Sequence, residues 1–211
     1  MQATLFLAVV AAFAPGFLSH QTNSDPDPAA VDVVDAIECK LDAPTYNGFA
    51  MALNGEEQIA KKRHWVPVKS GNPMLNEYAL PAPITVAGTY RTSRVAFTSS
   101  GVLAILDLAD PAPLAREQGI ANAADPKALA DSLRESGEAP PPEFLAMMAR
   151  SNKFLGEKDI VDRAEPPAAG ESFGIHTRIT RNISTVTSHP GKTLYGCSYR
   201  IEPIGKDGKP L

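Results

Sequence analysis

The chain has 211 residues, of which 44% are hydrophobic and 21% charged, with a formal net charge of −4. That length suits one globular domain with a sizeable core, and the mildly acidic balance excludes a general nucleic-acid binder, which needs a basic footprint. No segment repeats at a fixed period, which excludes solenoids and propellers.

The apolar run over residues 3–14 has the length of a signal-peptide core and ends at Pro15-Gly16. It falls short of the ~20 apolar residues that cross a bilayer. It predicts a leader over residues 1–20 and a mature chain without a transmembrane span. The leader's start carries no Lys or Arg, and its best small-residue site, Ala12-Phe13-Ala14, precedes a proline, so the cleavage position stays open. Residues 21–30, with Asp25-Pro26-Asp27-Pro28, hold too little apolar surface to pack and read as a disordered linker. Residues 31–211 remain as one domain.

Within that domain, Val33, Ile37, Cys39 and Leu41 alternate with Glu38, Lys40 and Asp42, and residues 47–53 alternate with Phe49, Met51 and Leu53 on one side. Both stretches predict half-buried strands. Residues 78–80 and 84–86 read as extended, and Pro81 and Pro83 confine them to an edge or an irregular connection. Residues 90–98 and 102–108 flank Ser99-Ser100-Gly101 as a hairpin.

The composition then shifts. Asp110-Pro111 and Asp125-Pro126 each set an N-cap residue before a proline suited to the first helical turn. A third helix opens at Pro142-Glu143 with Phe144, Met147 and Met148 on one side, so residues 110–151 form a helical insertion. A loop over residues 166–170 follows. Phe173, Ile175, Thr177, Ile179, Arg181 and Ile183 then alternate against Gly174, His176, Arg178, Thr180, Asn182 and Ser184. His189-Pro190-Gly191 turns the chain into a last strand that carries Tyr195, Cys197, Tyr199 and Ile201 on its core side. The sum is an α+β fold: an antiparallel β-sheet with a helical insertion in the middle of the chain. A strongly curved, barrel-like sheet is one version of it.

The two cysteines, Cys39 and Cys197, sit on opposite ends of the domain, each on a predicted strand. In an exported protein they are expected to form a disulfide; the alternative is a pair of buried, reduced thiols. Two distant cysteines and four scattered histidines give no metal-ligand spacing, and no cofactor motif occurs. Gly191-Lys192-Thr193 resembles the tail of a phosphate loop but has Val186 where the leading glycine belongs and precedes a strand rather than a helix. Ser99-Ser100-Gly101 lacks the preceding glycine of a nucleophile elbow. Asn182-Ile183-Ser184 is a glycosylation triplet inside a predicted strand.

Two constellations remain as ligand-binding candidates. One is the polar side of the penultimate strand, His176, Arg178, Thr180, Asn182 and Ser184, where Arg178 suits an anion and His176 can donate or accept a hydrogen bond. The same residues also describe the solvated side that any half-buried strand has. The other is Lys61-Lys62-Arg63-His64-Trp65, a basic run ending in the only tryptophan, with Arg91 and Arg94 as neighbours to either patch. It suits an anionic polymer or headgroup with Trp65 stacking, or equally a charged loop whose tryptophan plugs the core.

The expectation is a periplasmic or secreted, non-enzymatic bacterial envelope protein that binds an anionic small molecule or envelope polymer, or serves a structural role. A groove lined by residues 176–184 would favour binding. An exposed apolar patch at Phe144, Met147 and Met148 would favour a protein–protein module. A histidine within hydrogen-bond reach of a serine or carboxylate in a pocket would favour a hydrolase assembled from distant segments.

Overall fold

The computed structural model describes residues 26–211 except Glu138 and Asn152, and leaves the side chains of residues 148–151 undescribed. The predicted leader and the first half of the linker lie outside these residues. The rest of that linker is ordered: Pro28–Ala30 form a 3₁₀ turn capped by the Asp27 carboxylate, which accepts from the Ala29 N–H at 2.9 Å.

Two segments predicted as strands are helices. Helix α1 (Val33–Ile37) starts at Asp32, whose side chain accepts from the Val34 N–H, and α2 (Ala43–Ala52) starts at Asp42, whose side chain accepts from the Thr45 N–H. Their buried residues follow the helical spacing, Val33, Ala36 and Ile37 in α1 and Tyr46, Phe49 and Ala52 in α2. Met51, predicted inside, is 79% exposed. Helix α1 ends in a Schellman arrangement: the Cys39 N–H bonds the Ala36 carbonyl and the Lys40 N–H bonds the Asp35 carbonyl. Cys39 takes the left-handed conformation (φ 57°) that glycine usually fills there. A short helix α3 (Ile59–Lys62) completes the N-terminal layer.

Seven strands follow among the described residues: β1 (Val66–Val68), β2 (Asn76–Val86), β3 (Tyr90–Phe97), β4 (Gly101–Leu106), β5 (Leu155–Glu165), β6 (Gly174–Ser184) and β7 (Thr193–Ile204). They form one antiparallel sheet in the order β1-β2-β3-β4-β7-β6-β5. The β3–β4 hairpin, β6 and β7 stand where the sequence places them. The two extended pieces at Pro81 and Pro83 are one strand, β2, whose pairing with β3 slips between Ala79 and Ile84. The sheet stays open rather than curling into a barrel. One edge is β1, three residues long and interrupted by Pro67; the other is β5, rich in Glu157, Lys158, Asp159, Asp162 and Arg163. Short strands, proline and charge all blunt an edge against pairing with other chains.

The helical insertion is present as α4 (Ala112–Gln118), α5 (Pro126–Glu135) and α6 (Pro142–Ser151). Asp125 caps α5 through the N–H groups of Lys127 and Ala128. The insertion carries the chain from the central β4 to the far edge β5, which then folds back through β6 to pair β7 with β4. Among the described residues no helix is long and apolar enough to cross a membrane.

Helices α1, α2 and α4 cover the front of the sheet. The main core there joins Ile37, Tyr46, Phe49 and Leu114 to Val95, Phe97, Val102, Leu106, Ile183, Tyr195 and Tyr199. Tyr46 stacks on Tyr199 with ring centres 4.2 Å apart, and the Tyr199 hydroxyl donates to the Ala36 carbonyl at 2.6 Å. The disulfide Cys39–Cys197 is formed and bolts the end of α1 to β7, closing a sequence separation of 158 residues. It therefore joins a helix terminus to a strand, not two strands.

A half-buried polar knot lies beside it. Arg181 points to the front, where its guanidinium donates to the Glu38 carbonyl at 2.8 Å and the Gln118 Oε1 at 2.8 Å, and its Nη2 lies 3.5 Å from Glu38 Oε2. Glu38 also accepts from the Ala87 N–H at 2.6 Å and the Tyr195 hydroxyl at 2.8 Å. The Glu38 carboxylate thus links the end of α1 to the β2–β3 turn and to β7, and Gln118 of α4 joins the knot through Arg181 of β6.

Gly196 sits where β7 passes β4. A Cβ there would land on the Val102 carbonyl oxygen and 2.8 Å from the Leu103 Cα, both backbone atoms that cannot step aside. Gly196→Ala is expected to lower the unfolding free energy by about 1–3 kcal/mol, as overpacking does; urea melts of the two proteins check it.

Candidate functional site

The back of the sheet is covered only in part. A small apolar cluster, Leu75, Ala96, Ile105 and Leu194 with Leu103 and Val186 packed on it, lies at its centre. The chain after α4 turns around the β5 edge. There the Ala123 N–H donates to the Leu155 carbonyl at 2.7 Å, and the Asn122 side chain accepts from the Leu155 N–H at 2.9 Å. This turn carries α5 to the back, where it leaves a cleft of about 750 Å³ against the strands.

Leu103, Ala128 and Leu155 give the cleft an apolar wall, and Thr98, Asn182, Ser184 and Ser198 place polar atoms on it. Asn182 Nδ2 donates to Ser198 Oγ at 2.8 Å and to the Thr180 carbonyl at 3.0 Å. Its Oδ1, the Ser198 hydroxyl hydrogen and the Ser184 hydroxyl make no hydrogen bond among the described residues, so they can turn to a ligand. Among the described residues, Glu157 is the one charged residue on the wall.

The sequence candidates divide around this cleft. Asn182 and Ser184 line it. Arg178, His176 and Thr180 do not. Asp159 on β5 accepts from Arg178 Nε at 2.7 Å and Nη2 at 3.2 Å, and from the Thr180 hydroxyl at 3.0 Å. The Arg178 hydrogen bonds, with help from Thr180, hold the Asp159 carboxyl below its ordinary range. His176 Nε2 lies 2.6 Å from Asp162 Oδ1. Arg178 and His176, expected to meet an anion, are thus matched by carboxylates on the neighbouring strand.

The basic run is also taken up by the structure. Arg63 donates to the carbonyls of Ala29 at 2.8 Å and Val31 at 2.6 Å, and lies over the rings of Phe49 and Trp65. Burial pulls its pKa down. Trp65 is 7% exposed and packs against Tyr78 and Phe97. Lys61 is exposed on α3, and none of Lys61, Arg63 and Trp65 lines the cleft. Arg94 pairs with the buried Glu77. On α6, Phe144 and Met147 are exposed, while the Met148 side chain lies outside the described residues.

The cleft residues that sequence reasoning missed include Thr98, Leu103, Ala128, Leu155, Glu157 and Ser198. Ser198 carried a signal, since it alternates with Cys197 and so must face the back. Ala128 carried none, because nothing local says which side of the sheet α5 crosses. Among the described residues no group of three or more His, Cys, Asp or Glu side chains is arranged to hold a metal.

Fold and site together define an open-faced antiparallel α+β domain with a lateral cleft between its sheet and an inserted helix. No protein-family model, curated protein or solved structure matches the chain.

Proposed function

We propose that the protein is an exported binding module, periplasmic or secreted, that holds a small, uncharged and partly apolar molecule in the back cleft. The observation that carries this reading is a cleft of about 750 Å³ on whose wall Asn182, Ser184 and Ser198 converge beside Leu103 and Leu155. That size and mixture, mostly apolar with a few placed polar groups, suits a small-molecule site. The pairing of Arg178 and the presence of Glu157 favour a neutral ligand over the anionic one expected from the strand alone. The disulfide supports an oxidising compartment.

The test is titration with the neutral, apolar dye Nile red. Ala128→Trp, an exposed helix position on the cleft wall, is expected to fill the site and weaken dye binding by about tenfold or more, a change of ~1.4 kcal/mol. Unchanged binding by this variant, or no saturable binding by the parent, would sink the reading. Mass spectrometry of protein taken unrefolded from its host's envelope fraction would then name the natural ligand as a displaceable added mass.

A further inference from the structure

The connection between β6 and β7 holds a second constellation, on a cleft separate from the back cleft and independent of the binding reading. Ser188 Oγ lies 2.9 Å from Nδ1 of His189, and His189 Nε2 lies 2.8 Å from Oε1 of Glu77. Glu77 stands on β2, and its side chain is fully enclosed. Burial pushes its carboxyl up, but the Ser70 hydroxyl, His189 and Arg94 outweigh that and hold it below its ordinary value. Ser188, half-buried, opens with His189 onto a cleft of about 600 Å³ whose wall includes Asn72, Lys153 and Lys192.

The backbone keeps these groups in place. The His189 N–H bonds the Val186 carbonyl at 3.0 Å, and the Lys192 N–H bonds the His189 carbonyl at 3.1 Å. At the foot of the loop, Thr185 and Phe154 exchange hydrogen bonds, the Phe154 N–H donating to Thr185 Oγ1 at 2.9 Å and the Thr185 N–H to the Phe154 carbonyl at 3.0 Å. On the other wall Gly71 lies against Ser188, close enough that a Cβ would touch it.

A carboxylate only accepts, so a neutral His189 carries its hydrogen on Nε2, toward Glu77, and presents the Nδ1 lone pair to the Ser188 hydroxyl. That is the order nucleophile, base, orienting acid. We infer that Ser188, His189 and Glu77 form a hydrolytic relay for small carboxylic esters. Ser188 Oγ attacks the ester carbonyl carbon as its proton passes to His189 Nδ1. The Asn72 amide and the Lys153 ammonium are the wall groups available to the oxyanion. Collapse breaks the bond to the alkoxy oxygen, which leaves as the alcohol with the His189 proton, and Ser188 holds the acyl group. Water then attacks, gives a proton to His189, and the acid departs as Ser188 recovers its hydrogen. The sum is ester plus water to acid plus alcohol. The roles rest on distant Glu77 meeting a sequence-adjacent Ser-His pair, which no local motif reveals.

The experiment is reaction of the full chain with an alkyl fluorophosphonate, which bonds phosphorus to an activated serine and releases fluoride. Intact mass and peptide mapping should find one adduct per chain, on Ser188. Ser188→Ala should abolish it, and Glu77→Gln should slow it by about a hundredfold, the scale of general-base assistance. Hydrolysis of p-nitrophenyl acetate should fall in parallel. No adduct on the parent protein, shown folded by its thermal melt, overturns the assignment without recourse to any variant. An adduct that persists in Ser188→Ala overturns it equally, and either result leaves His189 as a structural tie for buried Glu77.

Discussion

Replacing Cys39 or Cys197 with serine is expected to produce the largest loss of stability of any single change in this protein. The bond closes a loop spanning 158 residues of separation, and it is the covalent link between the N-terminal helices and the sheet. Chain-entropy reasoning for so long a loop gives about 4–5 kcal/mol. For a domain of this size that is a fall in Tm of roughly 10–15 °C. Calorimetry of the oxidised parent, the parent with reductant, and Cys197→Ser should show the last two melting together and well below the first. A melt that reductant leaves unmoved, with free thiols verified, would count against the estimate. Cys39 adds a finer comparison. It holds the left-handed position at the end of α1, where glycine is at ease and a side chain costs ~1–2 kcal/mol. Cys39→Gly should therefore melt above Cys39→Ser, although both lack the bond.

The second large effect is expected at Arg181. Its side chain and that of Glu38 are 19% and 15% exposed, and they meet behind α1 with Gln118 and Tyr195 around them. Arg181→Met would leave the Glu38 carboxylate enclosed with only the Ala87 N–H and the Tyr195 hydroxyl as partners. Removing one partner of a fully buried pair costs about 3–5 kcal/mol, because the remaining charge keeps its desolvation penalty, and this partly buried pair should lose up to about 3 kcal/mol. Glu38→Gln together with Arg181→Met removes both charges at once, so the double variant should lose less than the sum of the singles. Urea denaturation of the four proteins in this cycle measures the coupling. Strictly additive losses would mean that the two side chains act separately. Nile red binding should be unaffected in Arg181→Met at temperatures where it remains folded, since the knot is on the front of the sheet and the cleft on the back.

Arg181 also explains why an apolar-looking alternation contains an arginine. On β6 it occupies a front position between Ile179 and Ile183, and a cation is tolerated there only because Glu38 and Gln118 come from elsewhere in the chain to receive it. The strand could be read from its alternation, but its partners could not.

The helices α1 and α2 were misread for a physical reason that is visible in retrospect. Val33, Ile37, Cys39 and Leu41 satisfy a period of two, yet Val33, Ala36 and Ile37 satisfy the helical period equally well over so short a window. The deciding signals were Asp32 and the Asp42-Ala43-Pro44 run, the same cap-and-proline chemistry that marked α5 at Asp125-Pro126; at α4 the cap position is held by Pro111 rather than Asp110. The missing glycine after α1 removed the usual stop signal, because Cys39 fills that position. Strand β5 escaped notice for the opposite reason. Nearly all of its residues are exposed, so no side of it is apolar and no alternation is written into it. What makes it a strand is backbone pairing with β6 from Leu155 to Glu165.

By itself, the sequence determined the elements whose burial or capping is written locally: the β3–β4 hairpin, β6, β7, the three inserted helices and the α+β class. Those features depend on hydrophobic period, turn residues and caps, which act over a few positions. Only the tertiary structure decided how they assemble. The seven-strand order, the open edges, the side of the sheet that α5 crosses, the cleft at Asn182 and Ser198, and the meeting of Glu77 with His189 across 112 positions all depend on contacts between distant segments. The disulfide lies between the two. Its cysteines were legible, but that one of them closes a helix depends on a helix end held in place by the strand it is bonded to.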